Sequence, residues 1–287
     1  MDILPQLIVN SVIAGAIYMM VALGFNLIYG TVKFFDIGYG ALITVGAYSV
    51  FFCYKSLGLD LSLSIALGVL IAGGVGYLIN HFIYKKLRDR KASGMVLLVA
   101  SLGVLTVLQA IIAMLFTSQF QTLSVGGESR VYVIAGAVIT QVQAIILATG
   151  LLIMVLLGLL IKYTLFGKAV NAVADDEEVA KIVGINTNKI IGSVFFIGSM
   201  IAGLAGIFIG FDTGMEPTMG MSLLLKGVIA SIIGGIGNIY GGVLGAFLLG
   251  FVENFGIWKI SGEWKDAIAF VVLIVFLLFR PQGILKK

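Results

Sequence analysis

The chain has 287 residues, 60% of them hydrophobic and 11% charged, with a net charge of +4 and a mean hydropathy of +1.13. A soluble domain of this length cannot hide so much apolar surface, so the composition describes an all-α, polytopic membrane protein. One cysteine (Cys53) and one histidine (His81) exclude a disulfide framework and any His/Cys metal cluster, and no cofactor is expected.

The chain opens MDILPQ, without the basic region or small-residue cleavage pattern of a signal peptide, and reads as the start of the first span with no soluble domain appended. Apolar runs long enough to cross a bilayer lie at 6–29, 61–83, 94–117, 141–162 and 190–211, with shorter runs at 38–54 and 266–280. The stretch 221–256 is long but broken by GGIGNIYGG at 234–242. Such a break is tolerated at membrane depth only where protein or a water-filled cavity covers the backbone. The expectation is one membrane domain over 1–287 with about eight transmembrane segments, broken or re-entrant helices among them.

Orientation follows from lysine and arginine. Lys85, Lys86, Arg88, Arg90 and Lys91 form one basic loop; Lys162, Lys168, Lys181 and Lys189 surround a second connector; Arg280, Lys286 and Lys287 end the chain. With Lys33, these place 13 of the 18 basic residues on the cytoplasmic side. Lys55, Arg130, Lys226, Lys259 and Lys265 are left at or near the outer face. The N-terminus, with Asp2, is then outside and the C-terminus inside, and 221–256 must begin and end outside, as a re-entrant pair or as two short spans. Trp258 and Trp264 flank the last span as aromatic anchors in contact with lipid.

The stretches 6–29, 38–54, 61–79, 95–117, 141–161, 190–211 and 267–279 contain no Asp, Glu, Lys or Arg. An ion-coupled carrier needs an ionisable group or an unwound ion site near the midplane, and no carboxylate relay is visible. No hydrolytic triad or pair of catalytic carboxylates is present either, so the chain is read as a non-enzyme with no catalytic residues and no nucleic-acid partner. Asn10, Asn26 and Gln109 are polar residues inside spans; each either bonds a neighbouring helix or, for Asn26 and Gln109, lines a pathway. Lys33 and Asp36 read as an exposed pair at the membrane surface, and His81 as an interfacial residue.

The densest acidic cluster, Asp175-Asp176-Glu177-Glu178, lies in the connector 163–189. Asp175 is placed to cap a short helix with Glu178 three residues on, Lys181 in its last turn and Gly184 ending it. Val179, Ile182 and Val183 make an apolar stripe at helical spacing, continued back through Ala172, Ala169 and Leu165. Two readings stand: a solvated connector, or a helix that docks into a partner's groove.

Glu178-Val179-Ala180 followed by Gly184 resembles the EAA---G loop of permease subunits in ABC importers, although the Leu-Pro expected later in that motif is absent. Together with NLIYGTVKFFDIGYGALITVGAY (26–48), FGKAVNAVADDEEVAKIVGIN (166–186) and PTMGMSLLLKGVIASIIGGIGNIYGGVLGAFLLGFVEN (217–254), it makes nearly the whole chain similar to the permeases of high-affinity branched-chain amino-acid importers. The resemblance implies a bacterial inner-membrane permease for leucine, isoleucine and valine. It also implies a second, related permease, two cytoplasmic ATPase subunits and an extracytoplasmic binding protein as partners. Carried onto this chain, the ATPase-coupling set is Gly167, Lys168, Asn171, Asp175, Glu178, Ala180, Gly184 and Ile185. The candidate pathway set is Asn26, Asp36, Tyr39, Gln109, Gly237 and Asn238, for which tight packing is the competing reading. Asp36-Ile37-Gly38-Tyr39-Gly40 stands where the family commonly has Asn-Phe-Ala-His-Gly, and Tyr240 where it often has proline. These departures leave urea, other amides and simple sugars open as cargo and the transporter class intact; an ATP-independent channel stays open as a different class because a charge-free path does not by itself exclude it.

Overall fold

The structure, a computed structural model, describes residues 3–123, 131–134, 136–258, 260–280 and 282–285. Asp2, Arg130, Lys259, Lys286 and Lys287, used above for orientation, lie outside the described residues. Two compact units divide the chain: Met1–Asn26 with Ser124–Met154 and Leu225–Lys287, and Leu27–Leu123 with Val155–Leu224.

The first unit holds most of α1 (Ile3–Val32), the start of α6 (Gln141–Tyr163), most of α10 (Met219–Gly234), α11 (Ile239–Gly256) and α12 (Lys265–Phe279). The middle of α1 is enclosed, with Met20, Val21, Ala22 and Leu23 wholly buried. Small residues make close packing possible: a Cβ on Gly15 would meet the Phe247 ring at 2.6 Å, and one on Gly245 would strike the Ala230 carbonyl. The unit also contains an antiparallel hairpin, β1 (Val131–Ile134) with β2 (Ala137–Thr140), in the register Val131 opposite Thr140. The helix-only expectation did not include it. Its signal was present in VYVI and AVIT, two β-rich runs joined by Ala135-Gly136, with Gly136 at φ 84°. Gln6 ties the hairpin to α1 by accepting the Val138 N–H at 2.8 Å and donating to its carbonyl at 3.1 Å.

The second unit holds α2 (Tyr39–Phe51), α3 (Leu61–Ile79), α5 (Gly94–Phe116), the end of α6, α7 (Leu165–Asp175), α8 (Glu177–Ile182) and α9 (Thr187–Asp212). A π-helical turn, Asn80–Tyr84, carries α3 on into α4 (Lys85–Asp89). At 13 residues, α2 spans only about 20 Å, too short for a lipid-exposed crossing. It survives because α3, α5 and α9 pack around it, and all its residues from Tyr39 to Tyr48 are buried. Gly46 and Gly203 let α2 and α9 touch backbone to backbone, since a Cβ on Gly46 would strike the Gly203 main chain.

Among the described residues, six helices are long and apolar enough to cross a membrane: Ile3–Val32, Leu61–Asp89, Gly94–Phe116, Gln141–Tyr163, Thr187–Asp212 and Ile239–Gly256. Met114 and Leu115 on Gly94–Phe116, and Leu151 and Leu152 on Gln141–Tyr163, are all more than half exposed, which is stable only where lipid is the solvent.

Candidate functional site

The acidic connector forms two short helices, α7 and α8. Thr164 caps α7, its Oγ1 accepting the Gly167 N–H at 3.0 Å. Gly167 lies against the last turn of α6, where a Cβ would strike the Leu160 and Ile161 carbonyls. The cap of α8 is Asp176, not the expected Asp175: its Oδ1 accepts the N–H groups of Glu178 at 2.8 Å and Val179 at 3.0 Å. Asp175 is instead the last residue of α7. The physical reason is that Asp176 takes the extended backbone, φ −153°, that a cap needs. That break also means the apolar stripe does not run along one helix.

Helix α8 ends as Gly184 predicts. Gly184 adopts φ +89°, its N–H donates to Lys181 and the Ile185 N–H donates to Ala180, which closes the orphan carbonyls of the last turn. Glu177 pairs with Lys181 at 2.8 Å and accepts from the Thr187 hydroxyl at 3.3 Å. Of the coupling residues, Gly167 and Ala180 are buried and Ile185 is half-buried, while Lys168, Asn171, Asp175, Glu178 and Gly184 are exposed. Beside them Leu165 and Ile182 are each 83% exposed, Val183 68% and Val179 54%. These exposed apolar side chains stand beside the exposed acids Asp175, Asp176 and Glu178.

The pathway residues fall at two places. In the first unit Asn26 is buried and holds the break between α10 and α11: its Oδ1 accepts the Gly237 N–H at 3.0 Å and its Nδ2 donates to the Asn238 carbonyl at 3.3 Å. Asn238 in turn caps α11 through the Gly241 N–H at 3.1 Å. Gly235 and Gly237 supply positive φ, and neither Gly234 nor Gly241 can carry a Cβ without meeting the other's carbonyl. The last carbonyls of α10, on Ile233 and Gly234, accept the N–H groups of Ile284 and Leu285. The break therefore lies at the same end of the unit as the segment following α12. With 16 and 18 residues, α10 and α11 are about 24 and 27 Å long; α11 is among the six helices long and apolar enough to cross a membrane, and α10 is a shorter apolar helix.

In the second unit Asp36 is buried at 2% exposure, contrary to the expected exposed pair with Lys33. It accepts the Tyr84 hydroxyl at 2.7 Å and the N–H groups of Gly38 and Tyr39 at the start of α2. Burial pushes its carboxyl up to about 6, against the opposing pull of the Tyr84 hydroxyl and those two N–H groups. The connector is built around this knot: Ile37 N–H donates to Ser101 Oγ at 3.0 Å, and a Cβ on Gly38 would meet the Tyr84 hydroxyl at 2.7 Å. Tyr39 is wholly buried beside it. Gln109 is half-buried on α5, away from both places in sequence.

Sequence reasoning missed one cluster. In the first unit Glu253 is wholly buried, and Lys226 and Lys265 close on it at 3.7 Å each. Lys226 is thus drawn into the protein from the outer face assigned to it above. The signal lay in 221–256, the one long apolar stretch that carries both a lysine and a glutamate.

The model of the family described as "Branched-chain amino acid transport system / permease component" matches residues 7–277. The chain is 31% identical to the high-affinity branched-chain amino acid transport system permease protein BraD of Pseudomonas aeruginosa, over 98% of this chain and 95% of that protein. It is equally similar to the permease protein LivH of Escherichia coli K12, at 31% over the same shares. Among solved structures, PsaBC from Streptococcus pneumoniae in complex with Fab matches with a TM-score of 0.51 and 14% identity, over 98% of this chain and 93% of that one, a likeness of fold alone. On the match across residues 7–277 and the full-length similarity to BraD and LivH, the chain belongs to the permease family of branched-chain amino acid transport systems.

Proposed function

We propose that the chain is the membrane-spanning permease subunit of an ATP-driven importer for leucine, isoleucine and valine in a bacterial inner membrane. It works with a second, related permease, two cytoplasmic ATPase subunits and an extracytoplasmic binding protein. The cargo rests on what BraD and LivH are named for.

The observation that carries the coupling role is the surface of α7 and α8. A docking helix must be rigid and must offer apolar side chains to a groove. Here the backbone is capped at Thr164, Asp176 and Asn186, while Leu165, Val179, Ile182 and Val183 stand exposed beside Glu178. Gly167 and Ala180 face inward and seat the two helices. The basic residues around the connector put this face in the cytoplasm, with the N-terminus outside and the C-terminus inside. On that orientation Asn26, Gly237 and Asn238 lie toward the cytoplasmic end of the first unit, and Asp36 and Tyr39 toward the cytoplasmic end of the second. Each group is a candidate part of the pathway within its own unit, as is Gln109 on α5.

The test is uptake of labelled leucine, isoleucine and valine into proteoliposomes holding all five subunits, with and without ATP on the ATPase side. ATP-dependent uptake that Glu178→Lys removes supports the reading. Uptake without ATP dependence overturns it in favour of a channel, and stimulation by urea or a sugar instead changes the cargo.

A further inference from the structure

The Glu253 cluster is the densest concentration of charge packed into the interior of the first unit, and Asn26 and the break do not account for it. Tyr18 in the middle of α1 donates its hydroxyl to Glu253 Oε2 at 2.6 Å. Lys226 Nζ on α10 stands 3.7 Å from Glu253 Oε1, 3.0 Å from Asp266 Oδ1 and 3.4 Å from the Tyr18 hydroxyl, and 5.4 Å from the Tyr18 ring centre. Lys265 Nζ at the start of α12 stands 3.7 Å from Glu253 Oε2.

This arrangement is charge-balanced but under-bonded. Among the described residues its two carboxylates and two ammonium groups sum to zero when ionised. At 3.7 Å neither Lys226 nor Lys265 is within hydrogen-bonding distance of Glu253, and among the described residues Oε1 has no hydrogen-bond partner although it is buried. A buried carboxylate left one bond short is costly inside a membrane protein, where ionisable groups mark functional sites. Exposure rises outward through the cluster, from 0% at Glu253 to 14% at Lys226, 31% at Lys265 and 65% at Asp266. The polar track therefore opens at the junction of α11 and α12. That is the end of the unit away from the break, and on the orientation above it faces the outside.

We propose that Glu253 and Lys226 form a binding site for the zwitterionic head of an α-amino acid. The α-ammonium takes Glu253 Oε1 and the α-carboxylate takes Lys226. A zwitterion inserted into a loose carboxylate–ammonium pair adds no net charge, and it makes the hydrogen bonds that the pair at 3.7 Å lacks. Tyr18 holds the other carboxylate oxygen, so Glu253 stays aimed while Lys226 shifts toward Asp266, which is already within 3.0 Å of it. Lys265 neutralises Glu253 in the empty site. The site reads only the part of the substrate common to leucine, isoleucine and valine. This inference rests on the amino-acid cargo proposed above.

The experiment uses the complex of both permeases and both ATPases in nanodiscs, without the binding protein, and measures binding of labelled leucine alongside thermal stability. Wild type is expected to bind leucine, with isoleucine competing and neither leucinol nor 4-methylpentanoate doing so, because each lacks one of the two charges. Glu253→Gln keeps the shape of the side chain and the Tyr18 bond. It and Lys226→Gln are each expected to weaken binding and uptake by roughly tenfold or more with little change in melting temperature, as sites built to pair a polar group reject its absence. Leucine bound equally well by both variants overturns the proposal, as does wild type that binds none. Uptake restored by the charge exchange Lys226→Glu with Glu253→Lys also overturns it, since a tie between helices survives exchange and an oriented ligand site does not. Failure of the cargo reading is seen separately, as wild-type proteoliposomes with binding protein that import no branched-chain amino acid.

Discussion

The carboxamide oxygen of Asn26 accepts the N–H of Gly237 at 3.0 Å, between residues 211 positions apart. One side chain on α1 thereby satisfies the backbone where α10 stops and α11 begins, and its amide covers the Asn238 carbonyl as well. Replacing it by leucine keeps the volume and removes both bonds. Asn26→Leu is expected to cost about 1–3 kcal/mol, the penalty for leaving buried backbone groups unpaired. The check is a fall in melting temperature in detergent larger than that of Asn10→Leu, whose side chain accepts from Gln6 one turn away on its own helix.

Asp175 and Asp176 are neighbours with different work. Asp176 accepts two backbone N–H groups at the start of α8; Asp175 ends α7 exposed. Asp176→Ala is expected to destabilise the connector by about 1 kcal/mol, and Asp175→Ala by much less. Hydrogen exchange at the amides of Glu178 and Val179 reads this directly, rising in the first variant and unchanged in the second.

Exposure sorts the proposed coupling set into buried residues, Gly167 and Ala180, and exposed ones, with Leu165, Val179, Ile182 and Val183 exposed beside them. Gly167→Leu would drive a side chain into the carbonyls of Leu160 and Ile161, so it is expected to lower folded yield. Ile182→Asp, on a residue 83% exposed, is expected to leave folding and insertion intact and to weaken capture of the ATPase subunits by roughly tenfold, as loss of an apolar anchor does. Co-purification with the ATPases, compared with yield in the membrane, separates the two. Ile182→Asp that co-purifies normally removes α8 from the docking surface.

The spans, the broken stretch, Gly184 and the existence of a short capped helix were all legible in the sequence, because each rests on a local signal: hydropathy, a glycine run, or a cap and its stop. What was not legible depended on residues far apart. Nothing local distinguishes Asp175 from Asp176 as a cap, since both are acids before the same run, and the backbone turn decides. Asp36 read as an exposed partner for Lys33 because the Tyr84 hydroxyl that encloses it lies 48 residues away. Glu253 and Lys226 are 27 positions apart on separate helices, and only the hairpin-like return of α11 against α10 brings their charges together. The β-hairpin is the exception: its signal was local and lay in a stretch with no apolar span to draw attention.

The Asp36 knot gives a pH dependence with a defined sign. Its carboxyl is raised to about 6 from an ordinary 3.8, burial outweighing the Tyr84 hydroxyl and the Gly38 and Tyr39 N–H groups. A group raised on folding contributes stability that is fully present below the unfolded value and is lost as pH climbs through the folded one. Wild type should therefore gain stability from this residue as pH falls from 7 toward 4, by an amount on the order of a few kcal/mol. Asp36→Asn carries no such titration. The difference in melting temperature, wild type minus Asp36→Asn, is expected to rise between pH 7 and pH 5. A difference that stays flat or falls over that interval would show that the ionised carboxylate, held by Tyr84 and the start of α2, is the form the fold prefers.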